Sequence, residues 1–312
     1  MTILVTGGAG FIGSHVVDSL VARGHQVTVF DDLSNGSRKN LNPKAKLTVG
    51  KVEDAKTENF VRRLKPQAIF HFAAQKDVRL SVEDPVADAS VNVIGILRLI
   101  KASLDIPLKR FVLASTGGAI YGGAETVPTP EDHPTHPFSP YGVAKLASEN
   151  YLDAYRHAAK LPAVSLRFAN VYGPRQSPES ESGVTAIFTK KMLEGERPTI
   201  YGDGKQTRDF VYVGDIAAAC LKALGAKRLG TYNIGTGTET SVNELTGMLA
   251  ALIGTDKKPI YAPGRSGEER RSALAIGRAK KELGWEPQVA LAQGLAKTVV
   301  WQKSVLKGGK WR

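Results

Sequence analysis

The stretch that most restricts the fold lies near the front of the chain. A β-branched run, Ile3–Thr6, feeds into Gly7-Gly8-Ala9-Gly10-Phe11-Ile12-Gly13, and a helical pattern, Ser14–Arg23, follows at once. Glycine weakens helix and strand interiors alike, so such a loop needs another reason to exist. Between a strand and a helix it has one: Gly8, Gly10 and Gly13 form G-x-G-x-x-G, which lets the backbone approach a pyrophosphate seated on the helix N-terminus. Alone the pattern is weak, and the flanking elements give it weight. Gly10 and Gly13 are then placed for close approach, with Phe11 and Ile12 as the apolar first turn.

Further β-branched runs at Val27–Phe30, Leu47–Gly50, Ala68–Phe72, Phe111–Ala114 and Ala163–Arg167 alternate with amphipathic segments. This alternation predicts an α/β fold, a doubly wound parallel sheet of the Rossmann kind that binds ligands at the strands' carboxyl ends. After Arg167 the pattern loosens, with strands near Thr199–Tyr201 and Thr231–Ile234 and helices near Asp215–Leu224, Val242–Ile253 and Ala290–Lys303. In a chain of 312 residues we expect a dinucleotide-binding domain over 1–167, with later strands from about 207–235. A smaller substrate-binding lobe is expected over 168–206 and 236–312.

The second run ends at Asp31, where a carboxylate accepts hydrogen bonds from an adenosine ribose and repels a 2′-phosphate, favouring NAD over NADP. Two alternatives stay open: Asp31 and Asp32 also suit the start of the turn that runs to Gly36, and Arg38 with Lys39 offers charge for a 2′-phosphate.

The net charge of +12 raises nucleic acid as a partner. The basic residues are scattered, however, with only short clusters such as Lys190-Lys191 and no zinc-finger, helix-turn-helix or aromatic RNA-binding signature. We expect no nucleic-acid partner. Cys220 is the single cysteine, which suits a reducing compartment, and no apolar run reaches the ~18 residues of a membrane span. With no charged leader before Thr2, the expectation is a cytoplasmic protein without a membrane partner or a metal site.

Ser139-Pro140-Tyr141-Gly142-Val143-Ala144-Lys145 carries the clearest chemical pair. Pro140 suits the first turn of a helix, and a spacing of four puts Tyr141 and Lys145 on one face. An ammonium close to a phenol lowers its pKa from ~10 towards the working pH, as a general base requires.

Several motifs in this order resemble those of the extended short-chain dehydrogenase/reductase family, and within it the UDP-glucose 4-epimerases, from Thr2 to about Val300. They are TGGAGFIGSH at Thr6–His15, DDLSNG at Asp31–Gly36, HFAAQ at His71–Gln75, Asn92, STGGAIYG at Ser115–Gly122, Tyr141 with Lys145, NVYGPR at Asn170–Arg175, YGDG at Tyr201–Gly204 with RDFVY at Arg208–Tyr212, and RSGE at Arg265–Glu268. The resemblance implies NAD held by Gly7, Gly10, Phe11, Ile12, Gly13, Asp31, Asn35, Val52, Phe72, Ala73, Ala74, Asn92, Tyr141 and Lys145. Lys51 stands where many relatives carry an adenine-binding Asp, so that contact falls to backbone atoms near Val52.

It further implies that Tyr141, as phenolate, takes the proton of a sugar 4-hydroxyl while the C4 hydride passes to nicotinamide. Lys145 would hold the nicotinamide ribose and, with the positive ring, keep the phenol acidic. Thr116 would hydrogen-bond the same oxygen. Counting back from Tyr121 puts Gly117 at that place instead, but Gly117 has no hydroxyl. The implied UDP-sugar contacts are Lys76, Thr116, Tyr141, Asn170, Arg208, Arg265, Glu268 and Ser272, with Ser272 beside the sugar's 2-substituent. Relatives commonly pair through two helices, so a homodimer is expected.

Related dehydratases and decarboxylases place an acid directly after the Thr, whereas Gly117 and Gly118 stand here. That favours epimerisation at C4 of UDP-glucose and UDP-galactose. Epimerisation of UDP-N-acetylglucosamine or a UDP-uronic acid, a dehydratase or decarboxylase activity, and an NAD-binding sensor without catalysis remain as alternatives.

Overall fold

The computed structural model describes residues 1–179, 183–264 and 269–307. The strands of the first half are β1 (Thr2–Thr6), β2 (Gln26–Asp31), β3 (Lys46–Val49), β4 (Ala68–His71), β5 (Arg110–Thr116) and β6 (Ala163–Phe168). Beyond them come β7 (Asn170–Tyr172), β8 (Thr199–Tyr201), β9 (Thr207–Arg208), β10 (Phe210–Tyr212), β11 (Gly230–Ile234), β12 (Thr240–Ser241) and β13 (Ile260–Ala262). Seven parallel strands form the main sheet in the order β3-β2-β1-β4-β5-β6-β11. This is the doubly wound arrangement expected from the sequence.

Strand alternation decides what covers each face. Ile3 and Val5 point to one side, with Val29, Phe70 and Val164 of neighbouring strands, and pack on Val16, Val17 and Leu20 of helix α1 (Phe11–Ala22). Leu4, Ile69, Phe111 and Leu113 point to the other. There they meet Val61 of α2 (Lys56–Leu64). Two short helices follow, α3 (Val78–Glu83) and α4 (Pro85–Ala89), then a π-helical stretch, Ser90–Ile94, that runs into α5 (Gly95–Ser103). Leu99 and Ile100 of α5 join that second core and are fully buried, each contributing about 1.5–3 kcal/mol. So does Leu152 of α7 (Pro140–Ala159), which follows the single turn α6 (Gly117–Ile120).

Further helices among the described residues are α8 (Val184–Leu193), α9 (Val213–Leu224), α10 (Val242–Ile253) and α11 (Leu291–Lys307). Ile216 and Ala219 of α9 return to the first face of the sheet. A separate core gathers Tyr172, Phe188, Met192, Leu245, Leu249 and Leu295 from β7, α8, α10 and α11. Ser241 and Glu244 close a reciprocal capping box at the start of α10, so its N-terminus is fixed locally.

The expected elements fall within a few residues of those found, and Thr199–Tyr201 and Val242–Ile253 keep their bounds. The sequence reading missed α8 and the two-stranded pairs β10-β7, β12-β9 and β13-β8. It also ended β5 at Ala114, and the two extra residues carry Thr116 to the carboxyl edge of the sheet.

Candidate active site

Strand order reverses between β1 and β4, and their carboxyl ends open the crevice in which such sheets bind ligands. Gly7 sits there with φ +69°, and a Cβ on it would lie 2.5 Å from the Ala73 nitrogen and 2.6 Å from the Phe72 carbonyl carbon. A Cβ on Gly13 would lie 2.2 Å from the Gly7 oxygen. The loop is therefore folded on itself and pressed on the segment after β4, which puts Gly7, Gly10, Phe72 and Ala73 in one place. Helix α1 starts at Phe11 behind Gly10 with no side-chain cap, leaving the amides of Phe11, Ile12 and Gly13 to an anion.

Asp31 ends β2 and is buried, one oxygen accepting from the Ala9 N–H and the other from the Leu33 N–H, both at 2.9 Å. The carboxylate thus fixes both the glycine loop and the next turn, as the turn reading of Asp31 expects. Asn35 is exposed in that turn. Val52 is buried, its side chain packed against Gly95.

Behind the loop that carries Ala74, Asp88 accepts from Gln75 Nε2 and Asn92 Nδ2, each at 2.9 Å, and Asn92 Nδ2 also reaches the Gln75 carbonyl at 2.9 Å. Asn92 Oδ1 and Ser115 Oγ are buried and have no partner among the described residues. Orphaned buried polar atoms, a glycine cradle that any side chain would fill and an uncapped helix start together fit a dinucleotide.

Tyr141 occupies the first turn of α7, fixed by Pro140 and by the Ser139 hydroxyl, which accepts the Gly142 N–H at 3.1 Å. Its hydroxyl is hydrogen-bonded to Thr116. Gly117, the alternative position, is packed against Leu274. Lys145 is buried, its Nζ donating to the Ala114 carbonyl at 3.2 Å, and burial holds it down to about 8 against the pull of Asp88 and Glu149. The phenol does not follow the expectation from spacing. Burial and the Asp88 charge push it above its ordinary value, opposed by the Thr116 hydrogen bond. The shared helix face is real, but Lys145 is drawn down to β5, and solvent exclusion outweighs it. His71, bonded to the Thr6 hydroxyl at 2.7 Å, is kept neutral by burial and by the Lys145 charge, at about 3.

Of the expected substrate contacts, Arg208 donates to the Thr207 and Glu269 carbonyls at 2.8 Å. The Glu269 carboxyl in turn bonds the Ser272 hydroxyl and the Ala124 N–H, which brings Arg208 and Ser272 together beside the loop that follows Thr116. Burial raises Glu269 to about 7, with Arg208 opposing. Asn170 starts β7, its N–H on the Asp209 carbonyl at 2.9 Å, while Lys76 is exposed after Gln75. Arg265 and Glu268 lie outside the described residues. Sequence reasoning missed Asp88 and Glu269, and it missed the buried chain of Glu149, Arg167, Tyr121 and Asn233, linked by bonds of 2.7–2.8 Å. Glu149 lies four residues past Lys145, a spacing that signals a shared helix face.

The family model described as NAD dependent epimerase/dehydratase matches residues 3–235. The UDP-glucose 4-epimerase of Mycolicibacterium smegmatis is 46% identical over 305 residues, covering 96% of this chain and 97% of that protein. A crystal structure of UDP-glucose 4-epimerase from Thermotoga maritima with UDP-glucose superposes with a TM-score of 0.96 at 47% identity, covering 98% and 100% of the two chains. That of the Thermus thermophilus UDP-glucose 4-epimerase in complex with NAD gives 0.91 at 42% identity, covering 97% and 99%. On its fold, its site and these likenesses, the chain belongs to the NAD-dependent epimerase/dehydratase family.

Proposed function

We propose that this chain is a UDP-glucose 4-epimerase that interconverts UDP-glucose and UDP-galactose, with NAD as resident cofactor and a place in galactose metabolism. The observation that carries this is the meeting of Thr116, Tyr141 and Lys145 at the sheet edge beside the glycine cradle. Bound NAD accepts the C4 hydride and gives it back to the other face of the sugar. Tyr141 takes the 4-hydroxyl proton and later returns it, Thr116 orients that oxygen, and Lys145 supplies the positive charge that a phenolate in so dry a place requires. The 4-keto sugar turns over about its diphosphate between the two transfers. Arg208, Asn170 and Arg265 are the groups we assign to that diphosphate, Glu268 to the ribose, and Asp31 with Asn35 to the adenosine ribose.

A dehydratase is the competing member of the family, and Gly117 speaks against it. A Cβ there would lie 2.5 Å from Leu274 Cδ2, so an acid directly after Thr116 has no room without displacing that side chain.

We further assign a homodimer. Phe138 and Val143 are 73% and 54% exposed on a groove of about 540 Å³ between α4 and the start of α7, and Val86 of α4 is 77% exposed, a patch that suits a second copy. Among the described residues no helix is long and apolar enough to cross a membrane, and the buried Cys220 suits the cytoplasm. Product analysis by NMR on a panel of UDP-sugars tests the activity: UDP-glucose should yield UDP-galactose without added cofactor. Tyr141→Phe should lose at least ~100-fold in kcat while UDP binding holds. A 4-keto-6-deoxy product would instead mark a dehydratase.

A further inference from the structure

Asp88 is 1% exposed on a helix of five residues whose neighbour Val86 is 77% exposed. A buried acid beside a bare valine inverts the usual pattern, and nothing in the hydride and proton transfers above uses it. Its carboxylate accepts from two neutral amides, Gln75 and Asn92, and these tie it to the loop after β4 that presses on Gly7. On its other side it lines the groove beside Ala144, next in sequence to Lys145.

We propose that Asp88 is a positioning residue of the catalytic pair: its buried carboxylate is the counter-ion of Lys145, and through Gln75 and Asn92 it locks the cofactor loop to the helix that carries Tyr141. The proposal rests on the epimerase reading for its kinetic arm alone. The titratable groups facing the pair are few. Asp88 faces Tyr141 and Lys145 from α4, and His71, neutral, faces Lys145 from β4. Glu149 faces Lys145 from its own helix, but Arg167 of β6 already neutralises it with three contacts of 2.7–3.1 Å. Asp88 has no such cation in its hydrogen bonds: burial raises its carboxyl, opposed by the Gln75 and Asn92 amides and then by the Lys145 charge. Ser148 completes the lock by donating to the Asn92 carbonyl at 2.8 Å.

Asp88→Asn removes the charge and keeps an oxygen for both amides. Losing a neighbouring anion disfavours the ammonium and favours the phenolate, so both groups should titrate lower, by about one pH unit. Two readouts on the NAD-loaded protein follow: NMR titration of ring-labelled tyrosine with Tyr141 assigned through Tyr141→Phe, and the pH profile of kcat with UDP-glucose. We expect the Tyr141 titration and both limbs of the profile to move to lower pH in Asp88→Asn and to stay at wild-type positions in Asp88→Glu. A slower Asp88→Asn enzyme with an unmoved profile and an unmoved Tyr141 resonance means ordinary packing and overturns the proposal. If the wild type fails to epimerise, the function assignment falls, and the Tyr141 titration still decides Asp88.

Discussion

The ion pair of Glu149 and Arg167 should hold the catalytic helix in register, and its removal has a size that can be worked out. Arg167 Nη2 lies 2.7 Å from Glu149 Oε2 and Nε lies 3.1 Å from both oxygens, with side chains only 8% and 4% exposed. Arg167 Nη1 also donates to the Tyr121 hydroxyl at 2.7 Å, and Tyr121 to Asn233 Oδ1 at 2.8 Å, so the pair links α7, β6 and β11. Glu149→Gln leaves a guanidinium buried without its counter-charge, which costs about 3–5 kcal/mol of folding stability. Replacing both partners, Glu149→Leu with Arg167→Met, removes the stranded charge together with its anion. Such swaps are often neutral or stabilising by about 1–4 kcal/mol, so the double variant should be far more stable than the single one. Urea unfolding of the wild type, Glu149→Leu, Arg167→Met and the double variant, with Glu149→Gln beside them, measures this. Glu149→Gln also leaves the Arg167 charge uncompensated near Lys145, so the alkaline limb of kcat should fall to lower pH in that variant. A loss below about 1 kcal/mol in the single variant, or a double variant as damaged as the sum of its parts, would show that the pair is not the clamp described.

Gly13→Ala forces a Cβ to 2.2 Å from the Gly7 oxygen and should cost about 1–3 kcal/mol, so wild-type protein should keep NAD through gel filtration while this variant sheds it. Glu269 titrates at about 7 rather than its ordinary 4.5, so the stability it adds is full below about 4.5 and is lost as pH rises through about 7. Above that pH it also places a negative charge beside Arg208, and the KM for UDP-glucose should climb there but stay flat in Glu269→Gln. Ser272 is small and half-buried, so activity on UDP-N-acetylglucosamine is expected; Ser272→Tyr should suppress it about tenfold or more by overfilling the wall, with UDP-glucose turnover kept. Equal loss on both sugars would remove Ser272 from that wall.

How much of this was readable without coordinates depends on how local each signal is. The glycine loop, the alternating strands and the Tyr141–Lys145 spacing repeat within a few residues, so period and loop chemistry sufficed. The short strands escaped because their partners are distant: Asn170–Tyr172 pairs with Phe210–Tyr212, and neither run of three shows a period. The sign of the Tyr141 shift escaped for a related reason. Spacing fixes which groups share a helix face, but the pKa follows from burial and from Asp88, which arrives from another helix 53 positions earlier in the chain. Asp88 itself was hidden by the ordinary rule that an acid on a short helix faces water. Its burial, with Val86 left bare two residues earlier, inverts the usual pattern twice within one short helix, and such local conflicts collect where a fold is bent to a task. Here the conflict marks two tasks at once: the bare valine fits the subunit face we assign, while the buried acid serves the catalytic pair as proposed above. Substitutions that reshape the dimer groove near Val86 should therefore reach the chemistry through Asp88, and those on the far side of the helix pair should not.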